Sequence, residues 1–416
     1  MKKYPLNSFF AGIGGFDIGF ERHGFKTQFL CEINPFCQDV LSVHWPKVKL
    51  ASDICSLKPE DIPEAAVWCG GFPCQDISVA RGASKRLGLK GNRSGLFYDY
   101  AKLVETCSPE VVIIENVQGL FTSNGGRDFG VVLQTMTQLG YAVAWRLLNS
   151  RYFGVPQSRS RVYICCWKNS LSKSTAVMFD TEGAAEPENE RKGFITESNP
   201  INSYPKVPTV GYCLAATSGR HTGTDWSRSY VVCEDGVRRL TPLESERLQG
   251  FPDLWTLPSK TSYESDEIDT LRYTAIGNAV SIPIIEWLAG RVYSNLSQQT
   301  HELAKDEIKQ YVPEMKNSQW SKDDLQGIDF SDETISYKWP KGGVAIGNSF
   351  IGASIHPTPK EIIPSSLYEI VEKEQVDRRY YLTPNAAEGI LRRVERQGRT
   401  LFAPLRTALE IEKNKK

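Results

Sequence analysis

The sequence of 416 residues lacks several features that would point to particular classes of protein. Lysine plus arginine equals aspartate plus glutamate at 49 each, so the formal net charge is zero. Binding to a polyanion is therefore not indicated by overall charge and would require a local basic patch. Apolar runs such as 111–114 are far shorter than the ~18–20 residues that span a bilayer, and no signal-peptide core follows the first residues. We therefore expect a soluble, cytoplasmic chain without a membrane partner.

Metal-ligand spacing is also missing. The ten cysteines include no Cys-x-x-Cys pair and the five histidines show no ligand spacing, so we expect no metal site. Cys165 and Cys166 lie within an apolar run, which is typical of buried thiols in a reducing compartment. Cys74 differs, because it lies in a loop rich in glycine and proline.

The sequence does contain a regular alternation of short apolar runs and amphipathic stretches over residues 1–168. This alternation predicts an α/β domain built on a parallel sheet. Since a single core usually stops growing near ~250–300 residues, we expect two or three lobes.

The composition changes after residue 167. Residues 168–192 are rich in Ser, Ala and Glu, which is typical of a surface loop or linker. Residues 193–237 suit a small β-rich lobe, 282–292 return to a helical pattern, and 294–333 are polar enough to be a connector. The tail from Arg378 is basic and helical in pattern.

Glycines and carboxylates follow the first predicted strands. Gly12, Gly14 and Gly15 would let the backbone approach a ligand closely, and Glu32 follows the second strand, where a carboxylate can accept from both ribose hydroxyls. Asp53 lies at a distance suitable for the next strand end. The Gly-x-Gly-Gly spacing matches a dinucleotide cradle poorly. These residues alone leave open both an adenosine-containing ligand and a plain tight turn.

Three further loops carry chemically useful side chains. Gly-Gly-Phe-Pro-Cys-Gln at 70–75 holds Cys74, either a nucleophile or a structural cysteine in a turn. Glu115 follows the predicted strand 111–114 and is either a satisfied core acid or a general acid whose pKa burial has raised. Arg159 and Arg161, two apart, would share a face and grip a carbonyl, carboxylate or phosphate, although such arginines are usually solvated.

These segments occur in one order along the chain. They are Phe-Ala-Gly-Ile-Gly-Gly at 10–15, Glu32, Asp53, Gly-Phe-Pro-Cys at 71–74, Glu-Asn-Val at 115–117, Gln-x-Arg-x-Arg at 157–161, Arg-Leu-Thr-Pro at 239–242 with Glu-Arg-Leu-Gln-Gly-Phe-Pro at 246–252, and Gly-Asn-Ala-Val at 277–280. Together they closely resemble the DNA (cytosine-5) methyltransferase family of bacterial or phage type. The resemblance covers roughly residues 5–168 and 236–295.

The resemblance implies an S-adenosylmethionine-dependent methyltransferase (Rossmann-like) fold, with a smaller β-rich target-recognition lobe and a C-terminal extension. The implied division is a catalytic lobe at 1–168, a recognition lobe at 169–272, a segment at 273–295 that returns to the catalytic lobe, and the extension at 296–416. The implied activity is transfer of a methyl group from S-adenosyl-L-methionine to carbon 5 of a flipped-out cytosine in double-stranded DNA, through a covalent adduct on Cys74. The enzyme is expected to act as a monomer. Restriction-modification is the expected context, with an orphan enzyme and a phage enzyme as open alternatives.

Residue by residue, the resemblance implies that Cys74 is the nucleophile and Glu115 the acid that contacts the cytosine ring. Arg159 and Arg161 match the pair that orients the ring. The positions that match the cofactor site are Phe10, Gly12, Gly14, Gly15, Glu32, Asp53, Pro73, Asn278 and Val280. The last two belong to a late motif that folds back beside the first one.

A basic stretch directly follows Cys74. No acidic residue occurs between Ile77 and Tyr98, and the glycines in this stretch provide hinges. Its cations are Arg81, Lys85, Arg86, Lys90 and Arg93. Such a run is usually a solvated surface, but the position beside the nucleophile favours a loop that closes over DNA.

Two regions stay open at this level. The variable region between Trp167 and Arg238 is short, and its polar cluster offers candidates for base contacts: Arg220, His221, Thr222, Asp225, Trp226 and Arg228. The C-terminal tail resembles tails on phage-associated cytosine methylases, and it either extends the recognition lobe or packs as an appendage.

Two rival functions are less favoured. A tRNA cytosine methyltransferase shares the fold and motifs, but that branch carries a Cys-Phe-Thr signature that this sequence lacks. A catalytically silent DNA-binding relative is disfavoured because Cys74, Glu115 and both arginines are intact.

Overall fold

The structure is a computed structural model. It describes residues 2–73, 95–189, 191–200, 203–219, 227–257, 265–299, 301–304, 307–315, 325, 327–328, 330, 334 and 336–415. Among the helices in these ranges, none is both long and apolar enough to cross a membrane.

A nine-stranded sheet organises the molecule, in the order β13-β12-β6-β8-β5-β4-β1-β2-β3. Short pairs of strands, β10 with β11 and β7 with β9, lie outside it. In chain order the strands are β1 Tyr4–Phe9, β2 Phe25–Cys31, β3 Lys49–Ala51, β4 Val67–Gly70, β5 Val111–Val117, β6 Tyr141–Asn149, β7 Gln157–Ser158, β8 Ser160–Lys168, β9 Gly211–Tyr212, β10 Tyr230–Cys233, β11 Gly236–Arg239, β12 Gly342–Ile346 and β13 Ser349–Ala353.

Helices cover both faces of this sheet. They are α1 Gly15–Glu21, α2 Pro35–His44, α3 Leu96–Cys107, α4 Arg127–Gln138, α5 Leu171–Met178, α6 Lys192–Ile195, α7 Pro242–Gln249, α8 Ser265–Asn278, α9 Ile282–Ser297, α10 Ile308–Tyr311, α11 Leu367–Ile370, α12 Pro384–Arg396 and α13 Ala403–Glu412. One core joins α1, α5 and α9 to the sheet, and a second core joins α3 and α4 to its other face. Because both faces are buried, the central strands read as continuous apolar runs.

The expected parallel sheet is correct only for its first half. Strands β1 to β5 pair in parallel, but β8 is antiparallel to both β5 and β6, and β12 and β13 continue antiparallel at the edge. The connection from β6 to β8 spans only residues 150–159. A parallel crossover needs a dozen or more residues, so this short connection favours an antiparallel return.

The prediction of a linker at 168–192 is wrong over helix α5. Ser170 caps this helix by accepting a hydrogen bond from the Lys173 N–H, and Leu171, Val177 and Met178 are fully buried in the core. The small residues that suggested a loop, such as Ser174, are buried as well, which lets the helix pack closely against α9. Structurally, these residues continue the core that packs against the nine-stranded sheet.

Parts of the predicted connector at 294–333 are also packed into the hydrophobic cores. Helix α9 continues to Ser297, and Ile308, Val312 and Met315 are buried in the same core as α5. Further along, Leu325 is buried in the core on the opposite face. Strand β12 then pairs with β6, so part of the C-terminal extension widens the nine-stranded sheet.

The rest of the extension joins the variable region instead. Helices α12 and α13 pack on the hairpin formed by β10 and β11, and the four elements share a separate hydrophobic cluster. Strands in this region are short, with two residues in β9 and four each in β10 and β11.

Candidate active site

The loop after β1 has the backbone shape that its glycines predict. Phe10, Gly12 and Gly14 all have positive φ angles, at 53°, 57° and 82°. A Cβ at Gly14 would lie 2.4 Å from the Trp45 ring, whereas one at Gly12 would meet nothing within 4 Å. The loop is therefore packed tightly on its inner side and open on its outer side at Gly12.

Glu32 follows β2 directly and faces this loop. Its Oε2 accepts a hydrogen bond from the Gly12 N–H at 2.7 Å, and its Oε1 accepts one from the Asn34 N–H at 2.7 Å. Each carboxylate oxygen has a further lone pair, so the group can accept additional donors. The neighbouring Ile33 side chain is 69% exposed, which provides an apolar surface beside the carboxylate.

The second acidic position lies two residues after β3. Asp53 caps a short 3-10 helix by accepting a hydrogen bond from the Cys55 N–H at 2.9 Å. The structure thus brings Phe10, Gly12, Glu32 and Asp53 to the carboxyl ends of three adjacent parallel strands, where ligands bind in open α/β sheets.

The late segment around Asn278 and Val280 lies beside the first loop. A Cβ at Gly15 would approach the Val280 Cγ2 to 2.7 Å, so only glycine allows this packing without a shift. Val280 is buried, while Asn278 is exposed. Contact between residues about 265 positions apart thus gives the loop its rigid back wall.

The loop that leads to Cys74 begins against Glu115. A Cβ at Gly71 would lie 2.9 Å from the Glu115 Oε2, and the Asn116 side chain donates a hydrogen bond to the Phe72 carbonyl at 3.4 Å. Pro73 is the last described residue of this loop, and Cys74 lies outside the described residues. Gly71, at the start of this loop, therefore lies directly against the carboxyl of Glu115.

Glu115 itself lies within β5, rather than after it as the sequence suggested. Strand β4 pairs with β5 only as far as Ile114, but β8 continues the pairing to Val117 and extends the strand. In this register Glu115 is opposite Tyr163, and Arg161 is its diagonal neighbour across the strands. The Arg161 Nε lies 3.1 Å from the Glu115 Oε1.

The electrostatics of this carboxyl are set by two opposing effects. Burial raises the pKa of Glu115 above its ordinary value, and the positive charges of Arg161 and Arg159 oppose the rise without cancelling it. A carboxyl with a raised pKa retains its proton to higher pH, which is the property required of a hydrogen-bond donor or general acid.

Arg159 and Arg161 do not act as one exposed pair. Arg159 lies before β8 and is only 2% exposed, and its guanidinium donates to the carbonyls of Leu214 at 3.0 Å, Gly277 at 3.2 Å and Ala279 at 2.6 Å. An arginine at this position was expected to bind a carbonyl, a carboxylate or a phosphate. The carbonyls that Arg159 binds belong to the protein backbone. Arg159 thereby ties two distant segments, at Leu214 and at 277–279, to the start of β8, while Arg161 reaches Glu115.

Two glutamines, whose role the sequence did not reveal, contact the same segments as Arg159. The Gln157 side chain accepts from the Leu214 N–H at 2.9 Å and donates to the Gln249 Oε1 at 3.1 Å. Gln249 in turn donates to the Ile276 carbonyl at 3.0 Å. Both glutamines lie in recognised motifs, but only the fold reveals their partners.

Cys213 lies at the edge of the site, next to both arginines. Its Sγ accepts from Arg159 Nη1 at 3.5 Å and from Arg161 Nη2 at 4.0 Å. Desolvation opposes the effect, but these two cations lower the pKa of the Cys213 thiol below its usual value. Cys213 also lines a pocket that is open to solvent and whose walls include Tyr212, Arg239 and Tyr273.

Several predicted contacts fall outside the described residues. They are the basic residues Arg81, Lys85, Arg86, Lys90 and Arg93, together with Arg220, His221, Thr222, Asp225 and Trp226. Arg228 is described, and it donates to the carbonyls of Thr217 at 2.7 Å and Ser218 at 3.2 Å. Among the described residues, no group of three or more His, Cys, Asp or Glu side chains could hold a metal ion.

Comparison with known proteins identifies the family to which the chain belongs. A family model described as C-5 cytosine-specific DNA methylase matches residues 4–208 and 209–294. The chain belongs to this family. Its function is therefore that of a DNA (cytosine-5) methyltransferase, which requires a methyl donor and a DNA substrate.

The relatives are type II methyltransferases. M.HaeII of Haemophilus aegyptius is 32% identical over 321 residues, which cover 73% of this chain and 97% of that protein. M.NgoBI of Neisseria gonorrhoeae is 32% identical over 307 residues, covering 68% and 91% respectively. Among solved structures, the Entamoeba histolytica methyltransferase EhMeth has a TM-score of 0.50 at 18% identity, covering 72% of this chain and all of that one. This likeness confirms the predicted methyltransferase fold.

Proposed function

We propose that this methyltransferase uses S-adenosyl-L-methionine and acts on a cytosine turned out of duplex DNA, through a covalent adduct on Cys74. The observation that carries the proposal is the contact between the Gly71 loop and Glu115. This contact brings the start of the Cys74 loop against a carboxyl that is 12% exposed and whose pKa is raised.

The chemistry requires this combination of groups. Carbon 5 of cytosine is a poor nucleophile, so the ring must first become an enamine. Attack of the Cys74 thiolate on carbon 6 forms a C–S bond, and protonated Glu115 stabilises the displaced electron pair by hydrogen bonding at ring nitrogen 3. Carbon 5 then takes the methyl group, loses its proton to a base, and the thiolate leaves. Arg161, which contacts Glu115, is suited to hold that carboxyl and the ring in register.

The residues around the first loop fit a sulfonium nucleoside donor. When bound, S-adenosyl-L-methionine supplies an electrophilic methyl group. The open side of Gly12 leaves space for a ligand, and Glu32 retains lone pairs for ribose hydroxyls. Exposed Ile33 offers an apolar surface for an adenine ring, and Asp53 offers an acceptor for its amino group. We assign Phe10, Gly14, Gly15, Pro73, Asn278 and Val280 to the walls of the same site.

The division into lobes follows the same proposal. Residues 1–168, together with the returning segment 273–295, form the catalytic lobe, and 169–272 supply most of the recognition lobe, although α5 packs with the catalytic sheet.

The basic stretch from Arg81 to Arg93 is proposed as a loop that closes over the DNA backbone. The enzyme is proposed to act as a monomer.

Methyl transfer from labelled donor to duplex DNA, compared with transfer to tRNA, tests the proposal directly. Label in DNA alone is the expected result, and bisulfite sequencing of DNA from expressing cells would then identify the target sequence. Label in tRNA alone would replace the proposal with RNA methylation, which shares the fold.

A further inference from the structure

The pairing of two short strands places Cys213 beside the active-site arginines. Strand β9 runs parallel to β7, with Gly211 opposite Gln157 and Tyr212 opposite Ser158. The residue that follows each strand is Cys213 on one side and Arg159 on the other. This pairing therefore brings a residue of the variable region to the start of β8.

Hydrogen bonds on both sides of Cys213 fix this pairing. The Gly211 N–H donates to the Pro156 carbonyl at 2.7 Å, and the Tyr212 N–H donates to the Ser229 Oγ at 2.8 Å. On the other side, the Leu214 N–H donates to the Gln157 Oε1 at 2.9 Å. The backbone thus determines where the sulfur of Cys213 lies relative to the two arginines.

The guanidinium group of Arg161 has a partner at each of its nitrogens. Its Nε lies 3.1 Å from the Glu115 Oε1, and its Nη1 donates to the Ser160 carbonyl at 2.8 Å. Its Nη2 donates to the Cys213 Sγ at 4.0 Å. A guanidinium group is planar and rigid, so partners at all of its nitrogens fix its orientation as well as its place. Of these contacts, the one from Cys213 comes from outside strands β5 and β8.

Arg159 anchors the same sulfur. Its Nη1 donates to the Cys213 Sγ at 3.5 Å, while the guanidinium group also donates to the carbonyls of Leu214, Gly277 and Ala279. With these backbone partners, Arg159 stays in place without the thiol. Removal of the Cys213 side chain should therefore act mainly on Arg161.

The sulfur can accept from the arginines in either protonation state. A neutral Cys213 thiol donates to the Leu214 carbonyl at 3.4 Å and keeps its lone pairs for the guanidinium groups. Desolvation raises the pKa of this thiol, but the positive charges of Arg159 and Arg161 outweigh it and lower the pKa. A thiolate, where it forms, is the stronger acceptor.

We propose that Cys213 is a positioning residue for methyl transfer, whose sulfur accepts from both arginines and so holds Arg161 in contact with Glu115. The inference rests on the proposed function, because it concerns the carboxyl that acts on the cytosine ring. In this arrangement Cys213 acts through Arg161 and does not touch the reacting atoms.

Steady-state kinetics of Cys213→Ala and Cys213→Ser, with labelled S-adenosyl-L-methionine and unmethylated duplex DNA, provide the first test. Cys213→Ala should lower kcat roughly threefold to tenfold, as expected for loss of one hydrogen bond, and leave the KM for the donor near wild type. Cys213→Ser should recover part of the loss, because a hydroxyl also accepts from a guanidinium group. Cys213 is exposed, so neither change opens a cavity in the core, and the thermal unfolding midpoint verifies this.

The matched control is Cys233→Ala, which removes a half-buried thiol from β10 and should leave kcat at the wild-type value. A wild-type kcat in Cys213→Ala would overturn the inference. A raised KM for DNA with a wild-type kcat would overturn it as well, because Cys213 would then contact the DNA rather than position Arg161.

A double-mutant cycle with Glu115→Ala separates positioning from a general structural role. Without the carboxyl, Arg161 has nothing to hold there, so adding Cys213→Ala should lower kcat no further. An equal fold-loss from Cys213→Ala in the wild-type and Glu115→Ala backgrounds would contradict the inference. Neither result affects the proposed function, which is judged separately by methylation of duplex DNA by the wild-type enzyme.

Discussion

The carboxyl ends of the parallel strands form what we call the catalytic edge of the sheet. This edge and the recognition lobe are held together in different ways. At the catalytic edge, each functional side chain lies just after its own strand or near its carboxyl end, and the strand order β5-β4-β1-β2 places Glu115, Phe10 and Glu32 on one edge of the sheet. In the recognition lobe, the strands are short, and a helical hairpin about 150 residues later in the chain provides most of the core. The catalytic edge therefore depends on residue types at strand ends, and the recognition lobe depends on packing between distant segments.

This difference implies that the two regions respond differently to substitution. A change at the catalytic edge should remove one chemical step or one ligand contact and leave the fold intact. A change in the recognition core should weaken DNA binding through local unfolding and leave the donor site unaffected.

The largest expected effect is at Glu115. Replacement by Ala removes the donor to ring nitrogen 3 and should lower kcat by roughly 10²–10³-fold, as loss of one charge-stabilising donor does in other enzymes. Glu115→Gln keeps a donor that does not titrate, so it should retain more activity than the Ala variant. Steady-state kinetics at saturating DNA and donor give both values, and wild-type activity in the Ala variant would contradict the role.

The pH dependence of methyl transfer tests the role of Glu115 further. Because the pKa of Glu115 is raised, the neutral form persists above the usual range of a carboxyl, and activity should fall as pH increases through that raised pKa. Glu115→Gln should lose this alkaline decline as far as it arises from the carboxyl. An identical alkaline limb in both enzymes would assign the decline to another group.

The recognition core should show the next largest effect. Leu409→Ala removes a fully buried side chain from the cluster shared by α12, α13 and β10–β11, at a cost of about 2–5 kcal/mol. DNA affinity should fall while calorimetric affinity for S-adenosyl-L-methionine stays near wild type. Leu133→Ala, equally buried but in the catalytic core, is the matched control for loss of stability. Equal loss of donor affinity and DNA affinity in Leu409→Ala would show that the two regions do not respond separately.

The smallest effect is expected at the donor site. Glu32→Ala removes a carboxylate that accepts from Gly12 and that we propose accepts from the ribose hydroxyls, so donor affinity should fall by roughly 1–3 kcal/mol. Chemistry at saturating donor should change less than affinity. Unchanged calorimetric affinity would remove Glu32 from the donor site.

The positions of the glycines and carboxylates at this edge could be predicted from the sequence because chemistry restricts the residue types there. Glycines with positive φ, a carboxylate after β2 and the acid near the end of β5 are all visible as motifs. The direction of β8 and the helical state of 171–178 were missed because both depend on packing. Ser, Thr and Ala are typical of a linker until a neighbouring helix such as α9 buries them.

The tail illustrates the same limit. Its apolar helical spacing predicted helices, and α12 and α13 are observed, but periodicity does not identify the surface that a helix covers. Similarly, the Gln-x-Arg-x-Arg spacing suggested two equivalent arginines. Only the fold reveals that Arg159 donates to backbone carbonyls 55 and more residues away, while Arg161 contacts Glu115.

The central claim is that Cys74 attacks the cytosine ring beside Glu115. Duplex DNA carrying 5-fluorocytosine at the target tests it most directly, because fluorine cannot leave carbon 5 as a proton does and the adduct is trapped. In the presence of S-adenosyl-L-methionine, the wild-type enzyme should form a denaturant-stable complex with this DNA, and Cys74→Ser should form none while still binding the donor. A wild-type enzyme that methylates ordinary DNA without forming that complex, or a Cys74→Ser variant that forms it, would contradict the account.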